Sequence, residues 1–173
     1  MEYIEILFSN VKNQFVDEII KKELKIASPV VKSSHFHNKN ENKDLEYSDN
    51  LILKDYFAES NTGNMFVSRL TIGELLNDVM IVMSFDKDSG DIVLNFSENE
   101  LNFKEIDTLK YKVENMAARL AEIGDKYEIS SIKLGYESVL DAENVILSIS
   151  NSKYTVVNKF AGQLSLAIEH AFL

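Results

Sequence analysis

The sequence predicts an α+β domain, with amphipathic helices packed on a mostly antiparallel sheet in the order βα, ββββ, α, ββ, α. Three observations predict it. Short apolar, β-branched runs are separated by Asn, Asp and Gly, the punctuation of hairpins. Between residues 103 and 123, apolar side chains recur in steps of three or four, the period of a helix with one buried face. The chain has 173 residues, 45% of them apolar and 27% charged, which suits one globular domain spanning 1–173. A chain of this length buries ~70% of its unfolded surface without staples.

Residues 3–8 are apolar and β-branched and predict a strand. Ser9 or Asn10 then caps a helix over 11–25, in which Val11, Phe15, Ile19 and Ile20 recur at helical spacing opposite Lys21, Lys22 and Glu23. Pro29 ends that segment. Residues 32–50 hold almost no apolar side chains and many turn formers, which predicts a mobile polar loop. Four strands of an antiparallel meander follow at 51–58, 65–72, 79–85 and 91–96. Their expected breaks are SNTG, Asn77-Asp78 and DKDSG.

The next segment predicts the longest helix. Phe103, Ile106, Leu109, Val113, Met116, Leu120 and Ile123 form its stripe, with Ser97 and Glu100 or Asn102 and Glu105 as capping pairs. Gly124 stands where a left-handed C-terminal residue is expected. Strands at 129–136 and 144–150 lead to a last helix over 155–172. Gly162 inside that helix would mark close approach of a neighbouring element.

Lys and Arg number 18 and Asp and Glu 28, a formal net charge of −10. Direct nucleic-acid binding is argued against, because phosphates need clustered cations. An anionic membrane surface is argued against for the same reason. The sequence holds no Cys, which excludes disulfides, thiolate metal sites and Cys nucleophiles. Acidic residues near the start and an apolar run of only Val79–Met83 predict a soluble, cytoplasmic protein. The 16 Asn and 16 Lys against 2 Arg are the bias of an AT-rich bacterial or phage genome.

The charge is not spread evenly. Residues 45–108 contain four basic and thirteen acidic side chains, net −9, whereas 1–44 sum to zero and 109–173 to −1. Such a block keeps strand edges soluble, or focuses a field that steers a basic partner, or lines an acidic catalytic pocket.

Motifs that carry chemistry are absent. There is no G-x-S-x-G, G-x-G-x-x-G, P-loop or His-Glu-x-x-His pattern. Asp86, Asp88 and Asp91 in DKDSGD depart from a calcium loop at positions five, six and twelve, so the segment reads as a hairpin turn. His35 and His37 lie among Ser, Asn and Lys with no third ligand type, and His170 suits the C-terminal end of a helix dipole. No cofactor or metal is therefore expected.

The central stretch VMIVMSFDKDSGDIVLNFSENEL, with the amphipathic helix and hairpin after it, resembles the small acidic immunity proteins of bacterial contact-dependent inhibition and other polymorphic toxin systems. The resemblance covers residues 79–150. It implies an acidic α+β protein that blocks a basic toxin domain, often a nuclease, without catalysis of its own. With the charge block, it points to Asp49, Asp55, Glu59, Asp86, Asp88, Asp91, Glu98 and Glu100 as charge-pairing residues and to Tyr47 and Tyr56 as aromatic contacts. Two other readings stay open: a structural or adaptor domain that pairs as a homodimer, and an enzyme with a carboxylate site and a divalent metal.

Overall fold

The computed structural model describes residues 2–101 and 105–173. Nine strands form one antiparallel sheet: β1 (Tyr3–Lys12), β2 (Val31–Asn38), β3 (Lys43–Leu45), β4 (Thr62–Ile72), β5 (Glu74–Phe85), β6 (Ser89–Ser97), β7 (Ser131–Tyr136), β8 (Val145–Ser150) and β9 (Lys153–Val156). Their spatial order is β3-β2-β4-β5-β6-β1-β7-β8-β9. The first strand is thus central, between β6 and β7, and the two edges are strands of three and four residues. Short edges limit unwanted strand addition. The helices are α1 (Leu53–Phe57), α2 (Ile106–Lys126) and α3 (Gln163–Phe172). Among the described residues, no helix is long and apolar enough to cross a membrane.

The predicted α+β class holds, and the alternation in each strand explains how one face is closed. Ile4, Ile6 and Phe8 of β1 share an interior with Ile81 and Met83 of β5, Ile92, Leu94 and Phe96 of β6, and Ile132 and Leu134 of β7. Helix α2 covers them with the expected stripe of Leu109, Val113, Met116, Leu120 and Ile123, and α3 adds Leu164, Ala167 and Ile168. Each of these side chains removes apolar surface from water. On the opposite face, Leu7, Val139 and Val145 make a smaller cluster with Val93.

Several local expectations are corrected. The first strand runs on to Lys12, because Asn10 adopts positive φ and makes a bulge where a helix cap was expected. Helical turns at Asn13–Phe15 and Glu18–Glu23 replace one regular helix over 11–25, and still bury Ile19 and Ile20. The polar stretch 32–50 is not a loop throughout, since it contains β2 and β3. Only Phe36 of β2 is fully buried; apart from Val31, its other side chains are polar, as suits a strand near the sheet edge. Gly63 opposite makes room for that ring, as a Cβ there would stand 2.5 Å from Phe36 Cδ1.

Residues 51–58 contain α1 (Leu53–Phe57) and no strand, so the meander has three strands rather than four. Leu53, Tyr56 and Phe57, spaced as a helix requires, are buried. The Asp17 carboxylate accepts from the N–H groups of Leu53 (2.8 Å) and Lys54 (2.9 Å), and so caps a helix 36 residues away. Asn77-Asp78 lies within β5; the chain reverses instead at Gly73, φ +68°, where a Cβ would meet the Asn115 carbonyl oxygen at 2.4 Å.

Helix α2 continues past Gly124 to Lys126, and Glu128 takes the left-handed conformation. Of the expected capping residues, Ser97 and Glu100 lie before α2 and Glu105 is its extended N-cap residue, while Asn102 and Phe103 fall outside the described residues. The last predicted helix divides into β9 and α3. Asn151 and Ser152 at positive φ turn the chain back along β8, and Gly162 is the N-cap of α3 rather than an interior residue. His170 is in the last helical turn, as expected.

Candidate functional site

The acidic block of 45–108 does not form one patch. Strand β6 carries Asp91 near one end and leads to Glu98 and Glu100 beyond the other. At ~3.3 Å per residue, Asp88 and Glu98 lie about 30 Å apart. That is several times the ~8 Å screening length of physiological salt, so the two groups act independently.

At the first end, Asp86 and Asp88 are exposed in the β5–β6 hairpin turn, closed by the Asp86 N–H donating to the Ser89 carbonyl at 2.9 Å. The DKDSG turn expectation therefore holds. Asp91 is half-buried and accepts from the bulged Asn10 N–H at 3.0 Å. Asp55 and Asp88 line a cavity of about 630 Å³ together with Lys12, Lys54 and Lys87. Lys12 is itself paired with Glu128 at 2.6 Å, so Lys54 and Lys87 are the cations that stand beside these two carboxylates. Asp49 and Glu59 lie elsewhere on the surface. Asp49 accepts from the Ser28 N–H at 2.8 Å, and Glu59 accepts from the Asn40 amide at 2.6 Å.

Tyr47 and Tyr56 belong to the interior, each only 7% exposed, which corrects their assignment as surface contacts. The Tyr47 hydroxyl donates to the Ile26 carbonyl at 2.7 Å. Burial first, then Asp49 and Asp17, push its pKa up to about 12. The Tyr56 hydroxyl bonds the carbonyls of His37 and Thr62, and its ring meets Phe36 edge-on at 5.3 Å. Apolar periodicity could not separate these rings from exposed ones, because Tyr56 lies on α1, which was not legible as a helix, and Tyr47 lies between β3 and α1 in no regular element.

At the other end, three strands bring together carboxylates far apart in the sequence. The Glu98 N–H donates to the Glu2 carbonyl at 2.9 Å, and the Glu137 N–H donates to the Tyr3 carbonyl at 3.2 Å. The backbones of Glu2, Glu98 and Glu137 thus meet at the rim of β6, β1 and β7, with Glu2 opposite Glu98 and Tyr3 opposite Glu137. Glu2 and Glu137 line a cavity of about 500 Å³ with Tyr136, Asn144, Phe160, Ala161 and Gly162. Tyr136 is 8% exposed, and its hydroxyl has no partner in ordinary hydrogen-bond geometry. One Glu98 oxygen, Oε2, is likewise buried and unpartnered. Burial first, then the facing Glu98 carboxylate, push the Tyr136 hydroxyl well above the usual phenol range. Gly162 passes so close that a Cβ would lie 1.9 Å from the Tyr136 oxygen. This fulfils the expected close approach at Gly162.

Sequence reasoning identified Glu98 and Glu100 but missed Glu2, Glu137 and Tyr136. The net charges of 1–44 and 109–173 conceal them, since neither segment is acidic as a whole. The histidines at 35 and 37 sit on β2 rather than in a loop, with His37 Nδ1 2.8 Å from Asp44 Oδ1. No group of three or more His, Asp or Glu among the described residues is arranged to hold a metal.

Comparison with known proteins bears on the whole chain. The family model described as PABL017 Cdi1I immunity protein matches residues 2–152. A comparison with curated proteins finds no match. Among solved structures, the chain resembles one from the 1.75 Å crystal structure of the toxic C-terminal tip of CdiA from Pseudomonas aeruginosa in complex with immune protein. The TM-score is 0.65 at 13% identity, covering 85% of this chain and 94% of that chain. At that identity the likeness speaks to the fold.

Proposed function

The chain belongs to the PABL017 Cdi1I immunity protein family, and from that membership we infer that it binds and neutralises a bacterial toxin domain. The match over residues 2–152 carries this reading, since it includes strands β1 to β8 and helices α1 and α2. The structural neighbour, described as a CdiA toxic tip in complex with immune protein, supports a toxin domain as the class of partner. The net charge of −10 supports a basic one. We propose that inhibition is stoichiometric rather than catalytic and takes place in the cytoplasm, which cell fractionation checks.

In this reading the exposed and half-buried carboxylates Asp49, Asp55, Glu59, Asp86, Asp88, Asp91, Glu98 and Glu100 supply the attraction. Tyr47 and Tyr56 act only by holding α1, β2 and the segment before β2 in place. The decisive experiment is co-expression with the protein encoded immediately upstream. Rescue of growth, co-purification and a titration with a fixed end point are expected. A complete lack of rescue and of binding would remove the proposal.

A further inference from the structure

Resting on the toxin-binding reading above, we propose that the toxin domain docks on the outer face of strands β4, β5 and β6, with Met80 and Val82 at the centre of the contact. Helices α1, α2 and α3 bury their apolar side chains in the interior on the other face of the sheet. On the outer face the segment 137–145 covers β1, where Val139 and Val145 pack with Leu7 and Val93. Past that segment the face is open: Met80 is 36% exposed and Val82 44%. Their neighbours Val79, Ile81 and Met83 are fully buried, so strand alternation turns Met80 and Val82 outward.

A solvated sheet face ordinarily carries polar side chains. Here strand pairing joins apolar ones into a band. Phe66 stands opposite Met80, Val82 opposite Val93, and Val93 opposite Leu7. Asn64 and Asn95 adjoin the band, opposite Val82 and Met80. An exposed apolar centre with a polar surround is the anatomy of a protein-binding surface. The size also fits. Strands β2, β4, β5 and β6 are neighbours at ~4.8 Å spacing, and the twelve residues of β5 rise ~3.3 Å each, so the face measures roughly 20 by 40 Å. A stable protein–protein interface needs about 800 Å² per partner.

Charge selects the occupant. Glu137, Asp141 and Glu143 are exposed on the covering segment, which holds no Lys or Arg. Asp86 and Asp88 are exposed at the hairpin end, and Asp91 stands opposite Ser84 on the face itself. Cations nearby are fewer. Lys32 lies over the Phe66 ring and is paired with Asp78 at 2.7 Å. Lys87 is in the hairpin turn, and Lys133 stands opposite Leu7. A second copy of this chain would bring the same carboxylates against these, whereas a basic toxin surface complements them.

The test measures binding of the upstream-encoded toxin domain to wild type and to four variants, each checked for folding by its melting curve. Val82→Arg puts a bulky cation at the centre of the face and is expected to raise Kd at least about a hundredfold. Met80→Ser/Val82→Thr removes only apolar contact and is expected to raise Kd about tenfold, mainly through faster dissociation. Asp141→Asn/Glu143→Asn is expected to slow association about threefold and to flatten its salt dependence. The control, Tyr111→Ser at an exposed position of α2, is expected to stay within about twofold. Val82→Arg and Met80→Ser/Val82→Thr both within twofold of wild type overturn the docking face and leave the immunity reading intact. So does a wild-type dimer in analytical ultracentrifugation that Val82→Arg dissociates while toxin binding holds, since the face then belongs to a second copy. If wild type neither binds nor rescues, the immunity reading falls and the docking face with it. Should Val82→Arg not fold, Met80→Ser/Val82→Thr alone decides.

Discussion

Glu23 offers a direct check on how the early helical turns are held to α2. It is only 6% exposed. Its carboxylate accepts from Tyr127 Oη at 2.6 Å, from Lys126 Nζ at 2.9 Å and from Arg119 at 2.5 Å. The Tyr127 bond first, then Lys126 and, against the cost of burial, Arg119, hold its pKa near 2 instead of 4.5. A shift of that size corresponds to about 3 kcal/mol at most. Solvent around the Lys126 side chain, 50% exposed, reduces this to roughly 2 kcal/mol. The folded-state value is the depressed one. The stabilisation is therefore complete above pH 4.5 and is lost as pH falls toward 2. Glu23→Gln keeps the shape and removes the charge. Urea denaturation at pH 7 is expected to show a loss of roughly 2 kcal/mol, and the difference from wild type is expected to shrink steadily toward pH 2. A loss below about 0.5 kcal/mol, or a difference independent of pH, would refute the reasoning.

Further expectations concern capping, turn geometry, packing and ionisation. Asp17→Ala removes both cap bonds to α1 and the ion pair to Lys21 at 3.1 Å, and is expected to cost about 1 kcal/mol in urea denaturation. Gly73→Ala forces a Cβ into left-handed backbone and against the Asn115 carbonyl, and is expected to lower stability by at least about 1 kcal/mol and the melting temperature with it. Leu120→Ala empties a fully buried position in α2 and is expected to cost roughly 2–5 kcal/mol in the same assay. Tyr47 and Tyr127 should give phenolate absorbance only as pH approaches 12, and the stability tied to their raised values is complete below pH 10 and lost above it.

The stripe of α2 was legible because a helix with one buried face repeats a local period, and six of its seven expected positions lie on the described helix. Strands β5 and β6 were legible for the same reason, each alternating inside and outside. Elements whose partners lie far away were not. Helix α1 has five residues and is capped by Asp17, a contact that no local window contains. Strand β2 is mostly polar because the sheet places it next to the edge strand β3, and only Val31 and Phe36 are apolar. Asn77-Asp78 has turn chemistry, and Asp78 does take positive φ, yet the β4 pairing on both sides of it keeps the strand running and the reversal falls at Gly73.

By itself, the sequence determined the α+β class, the acidic charge, the helix of the long stripe and the resemblance that the family match over 2–152 bears out. All of these depend on residue type and local period. Which carboxylates stand together was decided only by the tertiary structure. Antiparallel pairing of β1 with both β6 and β7 puts residues 2, 98 and 137 at one rim. The length of β6 holds the hairpin aspartates away from them. A charge block along the chain is a sum over sequence, whereas a binding field is a sum over distance. Strand pairing is what converts one into the other.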